Sequence, residues 1–249
     1  MSKQIQEHTK DPLEGRIVFL LILTVLVQFM YPLSIGGTAN LIGFQLFYMS
    51  LFASGIYLIS QNRRQMFMLI GLCMTWVAVG ALYALRPDWW VASLLSYSVL
   101  IIFQVQLTFV LLRYIFRARE VNRDVLLAAC TVYLMIGGIF VSVFGIIETL
   151  TWFPTGEHAF VDGSNVNPIV NKKGEELPFP WQTTVYYSYS TLTTLGYGDV
   201  LPVTNWSRSA ATLEAGIGVL YTGIIVARLV GLYATKEIED DLEEIGVIP

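Results

Sequence analysis

Apolar residues in this chain run in long blocks rather than alternating, and the blocks set the prediction. No charged residue interrupts Ile17 to Asn62, a length that predicts two membrane crossings at about 20 residues each. Gly36-Gly37-Thr38-Ala39-Asn40 reads as the turn between them. A third block runs from Gln65 to Leu85 and closes at Arg86-Pro87-Asp88. A fourth opens on Trp89-Trp90, a pair that suits the membrane border, and ends near Arg113. A fifth covers Val125 to Ile147, and the last runs from Ala210 to Tyr233. Between those two, residues 151–180 are rich in Gly, Pro and Asn, too polar for lipid and too long for a simple turn. Trp181 to Thr193 is apolar and aromatic but only half a membrane thick, which predicts a re-entrant half-helix.

Composition agrees. The 249 residues are 55% hydrophobic and 14% charged, with a mean hydropathy of +0.59. A soluble domain of that size carries a far more charged surface, so the expected class is a polytopic, all-α membrane protein. The net charge of −4 says little, because the charges are segregated by membrane side. With six crossings, Arg16, Arg63, Arg64, Arg113, Arg117 and Arg228 share one side with both termini, and Arg86, Lys172, Lys173 and Arg208 lie opposite. The positive-inside rule then puts both termini in the cytoplasm of a plasma (inner) membrane protein. Residues 1–16 carry no cleavage-site pattern, so the first apolar span is expected to act as an uncleaved signal anchor. Cys73 and Cys130 fall inside apolar spans and read as small core residues. No basic tract for nucleic acid is present.

The chemistry sits at Thr193-Thr194-Leu195-Gly196-Tyr197-Gly198-Asp199. Two glycines one residue apart let the backbone alternate its hand, which residues with a Cβ do only under strain. Successive carbonyls in such a strand can then point to one side. Four strands around one axis give rings of oxygens that replace the hydration shell of a monovalent cation. Thr194 would add its hydroxyl below the carbonyls of Leu195, Gly196 and Tyr197.

The segment Thr-Leu-Gly-Tyr-Gly-Asp resembles the selectivity filter of potassium channels, with Leu195 where the family usually has Val. The resemblance covers residues 124–234, a pore unit of helix, outer loop, half-helix, filter and inner helix. Gly198 to Arg208 is similar to the family's filter-to-inner-helix connection. Cys130 to Leu134, Leu213-Glu214-Ala215 and Ala227 to Val230 resemble bacterial members that carry four extra N-terminal spans. The implied fold has six transmembrane helices, with a pore helix and filter between the fifth and sixth. One filter per chain implies a homotetramer, so the expected partners are the chain itself, K+ and membrane lipids. No cofactor is expected beyond K+ at Thr194, Leu195, Gly196, Tyr197 and Gly198.

The implied domains are a cytoplasmic N-terminus (1–16), a four-helix membrane domain (17–116), a linker (117–123), the pore domain (124–234) and an acidic tail (235–249). Tyr186 and Tyr187, where the family commonly has tryptophans, either form an aromatic cuff with Tyr197 or are ordinary interface aromatics. Thr193 closes the half-helix, and Asp199 at the outer mouth can accept hydrogen bonds from the cuff. Ser190 stands where some members have a buried carboxylate, so gating through such a group is not expected. Glu214, one turn into the inner helix, is either a functional ionisable group or a hydrogen-bonding strut behind the half-helix. Gly218 matches the family's hinge glycine. Bending and close packing of a small-residue face with Gly216 and Gly223 are both open. The same alignment turns Val219, Thr222, Val226 and Val230 toward the cavity, where apolar side chains suit a gate that closes by dewetting.

Six spans with the pore last invite comparison with a voltage sensor. Such a sensor needs repeated Arg or Lys inside its fourth span, and Val91 to Leu112 has none. The first four spans therefore read as a structural collar, and steep voltage gating is not expected. The acidic tail is too short to fold a regulatory module. An enzyme is disfavoured: His8 and His158 lie outside the spans, and no Asp pair or Ser/His pair falls at membrane depth. A non-selective cation channel and a non-conducting subunit remain as alternatives.

Overall fold

The computed structural model describes residues 16–34, 38–59, 63–85, 89–163 and 179–244. Helix α1 covers Arg16–Phe29, followed by a 3-10 turn at Tyr31–Ser34. Helices α2 (Thr38–Ile59), α3 (Arg63–Leu85) and α4 (Trp90–Arg117) complete an N-terminal bundle. Helix α5 (Arg123–Thr155), strand β1 (Phe160–Asp162), helix α6 (Trp181–Leu192), strand β2 (Val200–Pro202) and helix α7 (Asn205–Glu244) follow.

Among the described residues, four helices are long and apolar enough to cross a membrane: α3 over Arg63–Leu82, α4, α5, and α7 over Asn205–Ala234. The expected first crossing is shorter than its apolar block. At 1.5 Å per residue the 14 residues of α1 span about 21 Å, against about 30 Å of hydrocarbon. Pro32 is the physical reason, since it has no N–H to donate and disfavours helix at the residue before it. The second expected crossing is the 22-residue α2, whose described apolar stretch is Tyr48–Leu58. Thr38, Ala39 and Asn40, expected in a turn, open α2 instead, and Gly36 and Gly37 lie outside the described residues.

Helix α5 is the hub. Its N-terminus is capped by Asn122, whose side chain accepts from the Val125 N–H at 2.9 Å. It runs past the expected end at Ile147, and stops where Gly156 takes a left-handed φ of 71° and returns its N–H to the Trp152 carbonyl. Only residues 118–122 separate α4 from α5, so the bundle folds back on its own chain. Small residues on α5 set the spacing, as expected where helices associate through close packing in lipid. The Tyr97 ring of α4 fills the space over Gly145, Gln28 of α1 and Gln104 of α4 meet over Gly138, and Tyr189 of α6 lies over Gly137. A buried core of Leu20, Phe52, Phe103, Leu107, Phe144 and Met135 joins the bundle to α5.

The connection between α5 and α6 holds a feature the polar composition does not reveal. Strands β1 and β2 pair antiparallel, with Val161 opposite Leu201, so the chain before α6 is tied to the chain after it. The Ala159 carbonyl accepts from the Val203 N–H and the Ser207 hydroxyl, both at 2.9 Å. Helix α7 then exceeds its expected limits at both ends, starting at Asn205 and continuing into the acidic segment to Glu244. Residues 164–178, which include Lys172 and Lys173, lie outside the described residues.

Candidate functional site

The site is the turn after α6, and helices α1, α5 and α7 bear on where α6 stands. Glu148, buried near the C-terminal end of α5, holds the start of α6. Its carboxylate accepts from the Phe179 N–H at 2.9 Å, the Ala159 N–H at 2.8 Å and His158 Nδ1 at 2.7 Å. The His158 ring stacks on Trp152 at 4.3 Å. A carboxylate accepting several charge-assisted bonds in a buried position is a strong anchor. The sequence offered one signal for it, a single ionisable residue at the end of an apolar run.

Glutamine at Glu148 has one acceptor oxygen, so an N–H or the imidazole loses its partner. A cost of about 1–3 kcal/mol is expected for each buried donor left unpaired. Amide hydrogen exchange at Ala159 and Phe179 should rise by at least tenfold in Glu148→Gln. Unchanged protection would show that the anchor lies elsewhere.

The middle of α6 is pinned on three sides. The Tyr189 hydroxyl donates to the Leu134 carbonyl at 2.8 Å, and its ring lies 5.1 Å from Phe29 of α1. Ser188 bonds the Gly137 carbonyl at 2.9 Å and Glu214 Oε1, joining α5, α6 and α7 at one point. The Tyr133 hydroxyl reaches the Leu192 carbonyl at 3.2 Å. Glu214 is fully buried against α6, bonded to Ser188.

Helix α6 ends at Thr193, whose N–H and hydroxyl both donate to the Tyr189 carbonyl. The chain then changes hand three times. Thr194, Gly196 and Gly198 take positive φ of 59°, 55° and 78°, with Leu195 and Tyr197 between them in ordinary conformations. Thr194 has a Cβ and so holds its value at a cost of order 1 kcal/mol, a strain that persists only where the surroundings impose it. Here the Leu195 and Gly196 N–H groups both donate to the Ser190 carbonyl, at 2.9 and 3.1 Å. Ser190 therefore acts through its backbone, which its side-chain type could not announce.

Asp199 accepts from the Tyr186 hydroxyl at 2.7 Å, and the Tyr186 ring lies parallel to Tyr197 at 6.1 Å. The Asp199 carbonyl also accepts from the Gly163 N–H, which places the ribbon against the end of the turn. Tyr187 departs from the expected cuff. Its ring packs edge-on to Phe144 at 5.1 Å and Phe160 at 5.2 Å, in the core behind α6. Adjacent helical residues point about 100° apart, so one tyrosine faces Asp199 while the other turns to α5 and β1.

Helix α7 passes directly under this turn. A Cβ built on Gly218 would lie 2.4 Å from the Leu192 carbonyl oxygen, so close approach accounts for this glycine, whereas Gly216 and Gly223 have open space. Val219, Thr222, Val226 and Val230 are exposed along one stripe of α7 within the single chain. Leu195 and Tyr197 are 56% and 66% exposed, and a Cβ on Gly196 or Gly198 would meet nothing within 4 Å. One side of the turn is clamped by its own chain and the other is bare.

From Thr194 to Gly198 the turn carries no ionisable side chain other than the Tyr197 phenol, and its backbone oxygens are the groups suited to a cation in passage. Residues 125–234 match the model of a protein family described as Ion channel. The match takes in helices α5 and α6, the turn they clamp and α7 as far as Ala234, and it supports passive ion conduction as the role of this segment.

Proposed function

We infer that four copies of this chain surround one axis and conduct K+ passively through rings of carbonyls from Thr194 to Gly198. The observation that carries the reading is the alternation of φ at Thr194, Gly196 and Gly198, the backbone form in which successive carbonyls turn to one side. The bare outer side of the turn is consistent with a ring that needs further copies to close. In this reading α6 is the pore helix, its C-terminal carbonyls favouring a dehydrating cation below the filter. The exposed valine stripe of α7 lines the cavity and closes it by dewetting. Residues 17–116 act as a collar around the pore domain, 124–234, and steep voltage dependence is not expected because α4 carries no charge from Val91 to Leu112. Both termini lie on the cytoplasmic side of the plasma membrane.

The test is the reversal potential of the purified chain in liposomes under a K+ gradient, with Gly196→Ser alongside. Reversal near the K+ equilibrium potential, lost on substitution, is expected. A serine Cβ at a φ of 55° is strained whatever the space around it. Reversal near zero with Na+ carried equally would assign the pore to non-selective cation channels. A fourfold assembly that passes no ion, with its α7 helices apart, would make the chain a non-conducting subunit.

A further inference from the structure

Arg228 is the single charged residue of α7 between Glu214 and Lys236, and counting it toward membrane orientation does not exhaust its role. Its guanidinium sits at the end of α4, more than a hundred residues earlier in the chain. Nε and Nη2 both lie 3.3 Å from the Ile115 carbonyl, and Nη2 lies 2.8 Å from the Phe116 carbonyl and 3.0 Å from the Ala118 carbonyl. The guanidinium carbon stands 5.3 Å from the centre of the Phe116 ring. The last carbonyls of a helix have no partners within it and carry the negative end of its dipole. The Ala118 N–H serves Tyr114 and Ile115, and Arg228 supplies donors to Ile115, Phe116 and Ala118.

The placement is mechanical as well as electrostatic. Arg228 lies two residues from both Val226 and Val230, about 200° round the helix from each. The valines are exposed on one face of α7 and Arg228 is half-buried against α4 on the other. A bond from Arg228 to α4 therefore draws the valine turn away from the side that faces open space. Since α4 joins α5 through residues 118–122, Arg228 ties the end of the N-terminal bundle to the later part of α7.

We propose that Arg228 is a positioning residue that latches α7 to the C-terminus of α4, holds the valine constriction apart, and passes displacements of the N-terminal bundle to the pore. The proposal rests on the conducting-pore reading given above. A planar guanidinium suits it because its donors spread over several acceptors, which an ammonium on a flexible stem does less well.

Single-channel recording of the full chain in planar bilayers tests it, with Arg228→Gln, Arg228→Lys and Phe116→Leu. Arg228→Gln is expected to lower open probability at least tenfold, with unitary conductance and reversal potential unchanged. Arg228→Lys should fall between it and the parent, and Phe116→Leu should lower open probability two- to threefold. Open probability within twofold of the parent, or raised, in Arg228→Gln overturns the latch. If Arg228→Gln does not assemble, Arg228→Lys and Phe116→Leu decide by the same criterion. Less assembled protein with normal gating would make Arg228 a strut only and equally overturns it. A parent chain that carries no current defeats the pore reading instead. The contact is then judged by amide exchange in Arg228→Gln, where unchanged protection at residues 115–118 and 226–230 overturns it.

Discussion

Alanine at Gly218 is expected to destabilise the unit of α5 to α7 and, in the proposed K+ pore, to disturb selectivity, and valine is expected to leave no functional pore. In open space alanine is the better helix former by about 1 kcal/mol, so a glycine needed only for bending would be improved by the change. The structure gives the opposite sign. The new Cβ would lie 2.4 Å from the Leu192 oxygen and 3.0 Å from Leu192 Cδ1. The first contact is backbone, which cannot rotate away as a side-chain end can. Overpacking of this kind typically costs about 1–3 kcal/mol, or roughly a fivefold to 150-fold fall in the ratio of folded to unfolded chains. Leu192 is followed by Thr193 and Thr194, so a push on its carbonyl displaces the floor of the turn that holds the alternating φ values. Thermal unfolding of Gly218→Ala should move down, and its reversal potential should move toward zero. A rise in unfolding temperature with selectivity intact would restore the hinge as the reason for this glycine.

Sequence patterning made the helical membrane class and the functional turn legible for different reasons. Charge-free blocks locate apolar helices because lipid leaves the backbone no other partner than itself. The turn is legible because alternation of hand is a local property of Gly196 and Gly198, and needs no knowledge of what surrounds them. The block from Ile17 to Asn62 shows the limit of the first kind of signal. Hydropathy sees one uninterrupted run, while Pro32 ends α1 after 14 residues and leaves it short of a full crossing.

What was not legible is the set of contacts that cross the chain. Glu148 finds its partners at Ala159, His158 and Phe179, Tyr189 reaches Leu134, and Arg228 reaches Ile115. All but the side of His158 involve backbone groups, which every residue carries, so no residue type marks them in advance. The pairing of β1 with β2 fails to show for the same reason, since three residues are too few to display a period of two. Tyr186 and Tyr187 differ from this. Their separation by one helical step already requires that they face different neighbours, and the packing of α6 decides which one meets Asp199.

Glutamine at Glu214 is expected to be tolerated where leucine is not. Ser188 has one hydroxyl hydrogen and two neighbours that can accept it, the Gly137 carbonyl and Glu214 Oε1. A glutamine amide resolves the competition, because its N–H can donate to Ser188 while Ser188 donates to Gly137. Leucine removes the partner from α7 and leaves the Ser188–Gly137 bond alone at this junction, in a site fully closed to solvent. Breaking a buried polar junction between three helices is expected to cost about 1–3 kcal/mol, beyond the change in packing. In Glu214→Leu the unfolding temperature and the fraction of assembled protein should both fall, while Glu214→Gln should stay close to the parent in both. Ser188→Ala separates this from a role in attracting ions. A strut predicts that Glu214→Leu and Ser188→Ala are strongly non-additive, because each breaks the same junction. An ion-attracting carboxylate predicts instead that Glu214→Gln lowers unitary conductance while Ser188→Ala does not. That result, with unchanged stability, would remove Glu214 from the framework that positions the turn.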